Sequence, residues 1–308
     1  MTMDAASLRS RAGTRLKVGC KLNLYLEITG ILSNGYHSLE TLFYFLPEPH
    51  DFIDIAPGKP GQAMRLFCPQ NPELESEQNI LIRAYKLFAE HTGRRYDLTV
   101  TLHKQIPMGA GLGGGSADGA ALLLWLNSRE NLLSSAQLLS LAARLGADVS
   151  FFMLALKDDG PRAAWGQGIG EKLTPADVSA LAGLYLLLIF PGVPISTPWA
   201  YAAWDKLPIP QNDFNGFFAA EHLTSAGSGD MKPLAHALRL YNSFEAVVFP
   251  EYPALRLIKE RLLQNGASAA MMSGSGSTVF GLFKNATAAQ KAACEFKREN
   301  YKYLLQQL

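Results

Sequence analysis

Cysteine is scarce in this chain, and the three present form no pattern. Cys20, Cys68 and Cys294 are odd in number and far apart, which excludes a disulfide framework and the paired spacing of a metal-ligand motif. They suit a reducing cytoplasm, where such residues mostly serve as small apolar filler. Net charge is equally scarce: 28 Lys and Arg against 27 Asp and Glu leave a formal +1, too little field to draw nucleic acid or an anionic membrane. Any anionic ligand must therefore be held by local geometry. Long apolar runs are missing too. The richest, Leu181 to Phe190, falls well short of the roughly 18 residues of a membrane span and matches a buried strand. Met1 to Arg15 has no apolar core of the secretory kind and reads as a tail. The partners expected are small molecules only, with no nucleic acid and no membrane, for a cytoplasmic monomer or weak homodimer.

What is abundant is apolar residues and glycine. A length of 308 residues, 48% hydrophobic and 18% charged, fits a globular chain of two domains. The turn cluster Lys157 to Pro161 is the best boundary between them, giving domains of residues 1–160 and 161–308. Leu16, Val18, Cys20, Leu22, Leu24, Leu26 and Ile28 alternate with polar residues, which predicts a half-buried strand with Lys21 and Asn23 on its polar face. Asn34-Gly35 predicts a hairpin turn, with a return strand from Leu39 to Leu46 and a further one near Phe52 to Ile55. Helices are expected over Asn79 to His91, Ser116 to Leu126, Ala136 to Leu145, Pro198 to Asp205, Phe217 to Arg239 (broken at Ser225 to Gly229), Ala254 to Gln264 and Thr287 to Leu305. Strands are expected over Leu98 to His103, Leu184 to Phe190, Ser268 to Met272 and Val279 to Phe283. Hairpins and helices without regular βαβ alternation indicate an α+β fold.

The most informative stretch is Pro107-Met-Gly-Ala-Gly-Leu-Gly-Gly-Gly-Ser-Ala-Asp118. Its glycines leave the backbone bare between a strand and a helix, so free amides and the positive end of the helix dipole converge as a phosphate site. Two better-known phosphate loops do not fit. Gly109, Gly111 and Gly114 satisfy the dinucleotide fingerprint, but another helix follows where that fold needs a strand. Gly115 stands where the P-loop requires lysine.

This segment is similar to the second motif of the GHMP kinases, the family of galactokinase and of homoserine, mevalonate and phosphomevalonate kinases, and the resemblance runs from about Lys17 to Phe283. It implies a two-domain α+β architecture with the active site in the interdomain cleft, ATP as co-substrate, and Mg²⁺ held mainly through phosphates and water. On this resemblance Pro107, Met108, Gly109, Ala110, Gly111, Leu112, Gly113, Gly114, Gly115, Ser116 and Ala117 bind ATP. Gly274, Ser275, Gly276 and Ser277, within Ser273-Gly-Ser-Gly-Ser-Thr278, brace that loop; taken alone this stretch also reads as a flexible turn. Lys21-Leu-Asn-Leu and Gly146-Ala-Asp-Val149 match the segments bearing the catalytic lysine and the aspartate that takes the acceptor's proton, so Lys21 and Asp148 are the implied pair. By pattern alone, Asp148 equally caps a helix and Lys21 is solvated.

Gly35-Tyr-His37 resembles the segment that holds a cytosine base, with Tyr36 and His37 on the substrate together with Asn23. The stretch Pro191 to Tyr201 supplies a second ring, Tyr201, and a substrate contact, Thr197, which by itself also reads as an N-cap before Pro198. The implied reaction is ATP-dependent phosphorylation of the 2-hydroxyl of a cytidine-diphosphate-linked methylerythritol. Homoserine, mevalonate or a sugar as acceptor, or a relative that binds ligand without turnover, are the alternatives. Departures from the family pattern are Cys20 where alanine is common, Asn242-Ser243 where Asn-Asp is frequent, and a longer stretch from Leu154 to Pro161.

Overall fold

A computed structural model describes residues 13–157, 159–208 and 240–308 of the chain. The expected helix from Phe217 to Arg239 lies outside the described residues, as do Asp158 and the tail as far as Ala12. The chain forms two compact units. One takes in the chain as far as Leu22, Leu42–Met108 and Leu112–Asp177, and the other Asn23–Thr41, Gly109–Gly111 and Val178–Leu308. The fold is α+β.

β1 (Thr14–Ile31), which belongs to the first unit as far as Leu22, begins with the expected alternation, Leu16 and Val18 inward against exposed Arg15 and Lys17. From Val18 to Leu26, however, every residue is buried. The polar face carrying Lys21 and Asn23 is covered, which apolar spacing cannot reveal. β2 (His37–Pro57) is a single strand that absorbs both strands expected between Leu39 and Ile55. It pairs antiparallel with β4 (Leu98–His103), from Phe52 opposite His103 to Pro57 opposite Leu98. β3 (Met64–Phe67) lies parallel to β4, and β5 (Ala163–Gln167) forms a hairpin with β6 (Lys172–Pro175).

Four α-helices stand among the described residues of this unit. α1 (Ile80–Thr92) starts at Asn79, whose side chain accepts from the Leu81 amide, and stops at left-handed Gly93, a common start and stop. α2 spans Gly114–Ser128. α3 (Ser135–Leu145) opens with a reciprocal capping box between Ser134 and Gln137. α4 (Ala147–Ala155) buries Val149 through Met153 on all sides. Phe43, Phe88, Phe151 and Phe152 sit at the centre of the core.

The second unit holds an antiparallel sheet in the order β11-β7-β10-β9, made of β7 (Tyr185–Phe190), β9 (Ala269–Met272), β10 (Val279–Phe283) and β11 (Lys302–Gln307). β8 (Tyr241–Asn242) runs parallel to Tyr25 and Leu26 of β1. α5 (Thr197–Trp204), α6 (Glu245–Glu251), α7 (Pro253–Gln264) and α8 (Ala286–Arg298) contribute to a core that includes Trp204, Val248, Ile258, Leu262 and Phe296. The helix expected to run to Leu305 ends instead at Arg298. Asn300 adopts φ 63° and turns the chain, and β11 then closes the sheet edge against β7 from Lys302 opposite Phe190 to Gln307 opposite Tyr185. No helix of the described residues is long and apolar enough to cross a membrane.

Phe88 is fully buried in α1, so Phe88→Ala should cost about 3–5 kcal/mol of stability, the range for deleting a core aromatic. Urea unfolding reads this directly; a loss below about 1 kcal/mol would mean that the core collapses around the gap.

Candidate active site

In the first unit the site is built around Lys21. Its side chain is only 5% exposed, and its Nζ lies 3.4 Å from Asp148 Oδ2 and 5.7 Å from the centre of the Phe43 ring. Its backbone amide donates to Leu112 O at 2.9 Å, fastening the strand to the glycine loop. Gly113, at φ 68°, leaves the room the lysine needs: a Cβ there would lie 3.1 Å from Lys21 Cγ and Cε. Both bland readings fail on this geometry. Lys21 is enclosed, and Asp148 is the second residue of α4, where Gly146 occupies the N-cap and no side chain caps. Asp148 is about a third exposed, so its carboxylate can reach both lysine and a ligand.

The loop delivers the helix start as its composition implies. Gly113 is the N-cap of α2, and its carbonyl accepts from the Ala117 amide at 2.9 Å. The amides of Gly114, Gly115 and Ser116 then point out of the helix end without intrahelical acceptors. A Cβ on Gly115 would meet nothing within 4 Å, so the backbone there is open to a ligand. Pro107 and Met108 precede this turn, with Met108 exposed.

A second buried lysine was not marked by the sequence reading. Lys104 Nζ donates to Asp51 and, at 2.9 Å, to Asp118 Oδ2. The other Asp51 oxygen accepts from the amides of Gln105 at 2.6 Å and Ile106 at 2.9 Å. This cluster fixes the entry to the glycine loop and sits against its helix, since a Cβ on Gly114 would lie 3.2 Å from Lys104 Nζ. Asp118 Oδ1 is buried without a hydrogen-bond partner. Burial, reinforced by the Asp51 charge and opposed by Lys104, pushes the Asp118 carboxyl up to about 7. The signal for this cluster was an aspartate inside the otherwise apolar run of α2.

In the second unit, Gly109, Ala110 and Gly111 are gripped from both sides. Their carbonyls accept from the Ile195 amide at 3.4 Å and the Thr278 amide at 3.2 Å, and from Ser273 Oγ at 3.0 Å. Gly111, at φ 74°, admits no side chain, because a Cβ would lie 2.0 Å from Ser273 O. The loop from Ser273 to Thr278 is itself held by Asn242, whose amide donates to Met272 O at 2.7 Å and Gly274 O at 2.8 Å. Ser243 Oγ accepts from the Ile28 amide at 3.0 Å. The Asn242-Ser243 departure thus has a structural role that sequence reasoning left open. Ser277 is buried, and a Cβ on Gly276 would press on Met272 and Ile195.

The substrate candidates are distributed within this unit. The Asn23 amide donates to Ser273 Oγ at 3.3 Å, and its side chain donates to Thr41 Oγ1 at 2.7 Å. Ser196, not Thr197, caps α5, leaving Thr197 Oγ1 to bond Ser275 Oγ at 2.8 Å. His37 lies face to face with Tyr201, centroids 4.4 Å apart. Tyr36 stands 60% exposed at the tip of the hairpin, so the ring stacked on Tyr201 is His37.

Residues 79–155 match the family model GHMP kinases N terminal domain, and residues 220–302 match GHMP kinases C terminal. A 4-diphosphocytidyl-2-C-methyl-D-erythritol kinase of Oleidesulfovibrio alaskensis is 41% identical over 317 residues, covering 91% of this chain and 94% of that protein. One of Lawsonia intracellularis is 43% identical over 298 residues, covering 94% and 95%. A crystal structure of 4-(cytidine 5'-diphospho)-2C-methyl-D-erythritol kinase aligns with TM-score 0.72 and 31% identity over 95% of this chain and 98% of that one. Homoserine kinase from Cytophaga hutchinsonii aligns with TM-score 0.68 at 19% identity, over 99% and 95%, a likeness of fold alone.

Asp118 makes stability depend on pH with a definite sign. Its folded pKa of about 7 lies above the ordinary 3.8, so between these values the folded state holds a proton that the unfolded state releases. That contribution is full below about pH 4 and is lost as pH rises through 7. Asp118→Asn, neutral throughout, should therefore gain stability relative to the parent between pH 5 and pH 8. Parallel urea titrations at four pH values test this; a constant difference would mean that Asp118 is ionised across the range.

Proposed function

Because the chain belongs to the GHMP kinases, within the group of 4-diphosphocytidyl-2-C-methyl-D-erythritol kinases, we propose that it phosphorylates the 2-hydroxyl of 4-diphosphocytidyl-2-C-methyl-D-erythritol in the non-mevalonate route to isoprenoid precursors. It is an ATP-dependent small-molecule kinase. The observation that carries the reading is the buried Lys21 facing Asp148 at 3.4 Å beside a glycine loop that opens a helix. A relative that only bound ligand would have no need to bury an ammonium against a carboxylate there.

Phosphoryl transfer asks mainly for held phosphates, compensated charge and an acceptor for one proton. In this reading the amides of Gly114, Gly115 and Ser116 take phosphate oxygens at the positive end of α2. Pro107 through Leu112 and Ala117 shape the rest of that cradle, and Gly274 through Ser277 brace Gly109, Ala110 and Gly111. Asp148 accepts the proton of the acceptor hydroxyl, and Lys21 orients that carboxylate and offsets charge on the oxygens in transfer. Asn23, Tyr36, His37, Thr197 and Tyr201 hold the cytidyl substrate. Among the described residues no group of three histidine, cysteine or acidic side chains is placed to hold an ion. As the family resemblance implies, magnesium would enter with the nucleotide, held mainly through phosphate oxygens and water. The enzyme works in the cytoplasm on small molecules, as a monomer or weak homodimer.

ADP release with a panel of 4-diphosphocytidyl-2-C-methyl-D-erythritol, homoserine, mevalonate and galactose separates the acceptors; preference for any of the last three overturns the cytidyl reading. Asp148→Asn should lower kcat by about 10²–10⁴ with little change in either KM, and near-normal turnover would remove Asp148 from the chemistry. Gly113→Ala should also lower kcat by displacing Lys21, whereas Gly115→Ala, whose Cβ meets no atom of the protein, should fold normally and weaken ATP alone. Tyr36→Ala should lose about 1–3 kcal/mol of substrate binding if that ring stacks on the base, read as a higher KM for the cytidyl substrate.

A further inference from the structure

The last turn of α5 presents three successive contacts to one imidazole. Tyr201 lies flat on His37, with 4.4 Å between centroids and 22° between planes. Trp204 meets the same ring edge-on at 5.8 Å, and Asp205 Oδ1 lies 2.6 Å from His37 Nε2. Positions 201, 204 and 205 are i, i+3 and i+4, so they share one helix face. The His37 side chain is only 12% exposed. A surface histidine that met a carboxylate by chance would not also be walled by two aromatic rings.

We propose that Asp205 is a positioning residue that sets base specificity, by holding the proton of His37 on Nε2 and leaving the Nδ1 lone pair for the exocyclic amine of cytosine. An ionised carboxylate can only accept, so the 2.6 Å contact requires hydrogen on Nε2. In a neutral ring the acceptor is then Nδ1, for which no protein partner is found among the described residues. Cytosine offers an N–H donor at its 4-position, whereas uracil offers a carbonyl oxygen that would face this lone pair. A buried acceptor set against another acceptor loses its hydrogen bond and repels, which discriminates far more strongly than shape. Asp205 lies four residues beyond Tyr201 and outside every motif read from the sequence. The inference rests on the cytidyl-substrate reading given above.

The test pairs a readout of the free protein with one of turnover. In ¹⁵N-histidine-labelled protein, with His37 assigned by the signal missing in His37→Gln, the parent should show the Nε2–H tautomer. Asp205→Ala should show a mixture of tautomers, and Asp205→Asn, which keeps an acceptor oxygen, should restore the parent pattern. In kinetics, the ratio of kcat/KM for 4-diphosphocytidyl-2-C-methyl-D-erythritol to that for its uridine analogue should fall at least tenfold in Asp205→Ala. The change should sit in KM for the cytidyl substrate, with kcat and KM for ATP within about twofold of the parent, and Asp205→Asn should recover most of the ratio. An Nδ1–H tautomer in the parent overturns the proposal, as does an unchanged ratio in Asp205→Ala. If the parent prefers the cytidine compound while that ratio holds, only the role of Asp205 fails. If the parent uses neither nucleotide-linked compound, the cytidyl reading fails and takes the specificity role with it.

Discussion

A lysine buried on a strand must be compensated, because an ammonium withdrawn from water costs several kcal/mol unless an anion or an aromatic face stands near it. Lys21 meets that requirement with Asp148 and with the Phe43 ring, and the surrounding structure follows from it. Asp148 can stand there because α4 begins at Ala147, just after its N-cap Gly146, placing the carboxylate in the first turn. Phe43 can stand there because β2 runs unbroken through the core. The lysine's own amide is tied to Leu112, and Gly113 must lack a side chain to clear its methylenes. One charged residue thus sets the positions of β2, α4 and the loop that opens α2.

The second unit meets a comparable constraint with hydrogen bonds between neutral groups. A glycine-rich loop has little side-chain packing to define it, so its backbone must be held by partners or remain an ensemble. Asn242 spans Met272 and Gly274 with its two amide hydrogens, Thr197 takes Ser275, and Ser273 reaches Gly111. These are short-range contacts made by side chains with few rotatable bonds, which order a loop at small entropic cost.

The division between what the sequence displays and what it conceals follows the same physics. Alternation at the start of β1 and the helices α1 and α7 are local, and each was legible from residue spacing. The burial of Lys21 was not, since spacing reports which side chains are apolar and says nothing of what covers the polar ones. The unbroken β2 was hidden by Pro47 and Pro49, residues that punctuate most strands. β11 was hidden by Lys302-Tyr-Leu-Leu305, whose strand character depends on an edge of β7 that the local sequence does not contain. The cluster of Lys104, Asp51 and Asp118 joins a residue just past β4 to one of β2 and one of α2, and His37 with Asp205 joins residues 168 apart. Motif resemblance marked the pair Lys21 and Asp148 and also His37; Phe43 beside Lys21 and Asp205 beside His37 came from tertiary structure.

Two lysines lie against the glycine loop, and their surroundings assign them different work. Lys104 is bracketed by Asp51 and Asp118, with Asp51 also tied to two backbone amides. Its charge is already spent in a closed, buried arrangement, and an incoming phosphate would have to break those bonds to gain from it. Such a cluster holds the loop in register. Lys21 stands 3.4 Å from a carboxylate that keeps a third of its surface in solvent, a separation beyond that of a tight charge-assisted hydrogen bond. A ligand hydroxyl can approach Asp148 without dismantling the fold, and the ammonium remains close enough to respond as charge moves. The same residue type, at two positions beside one loop, becomes an anchor where its partners are enclosed and a reactive group where its partner is open.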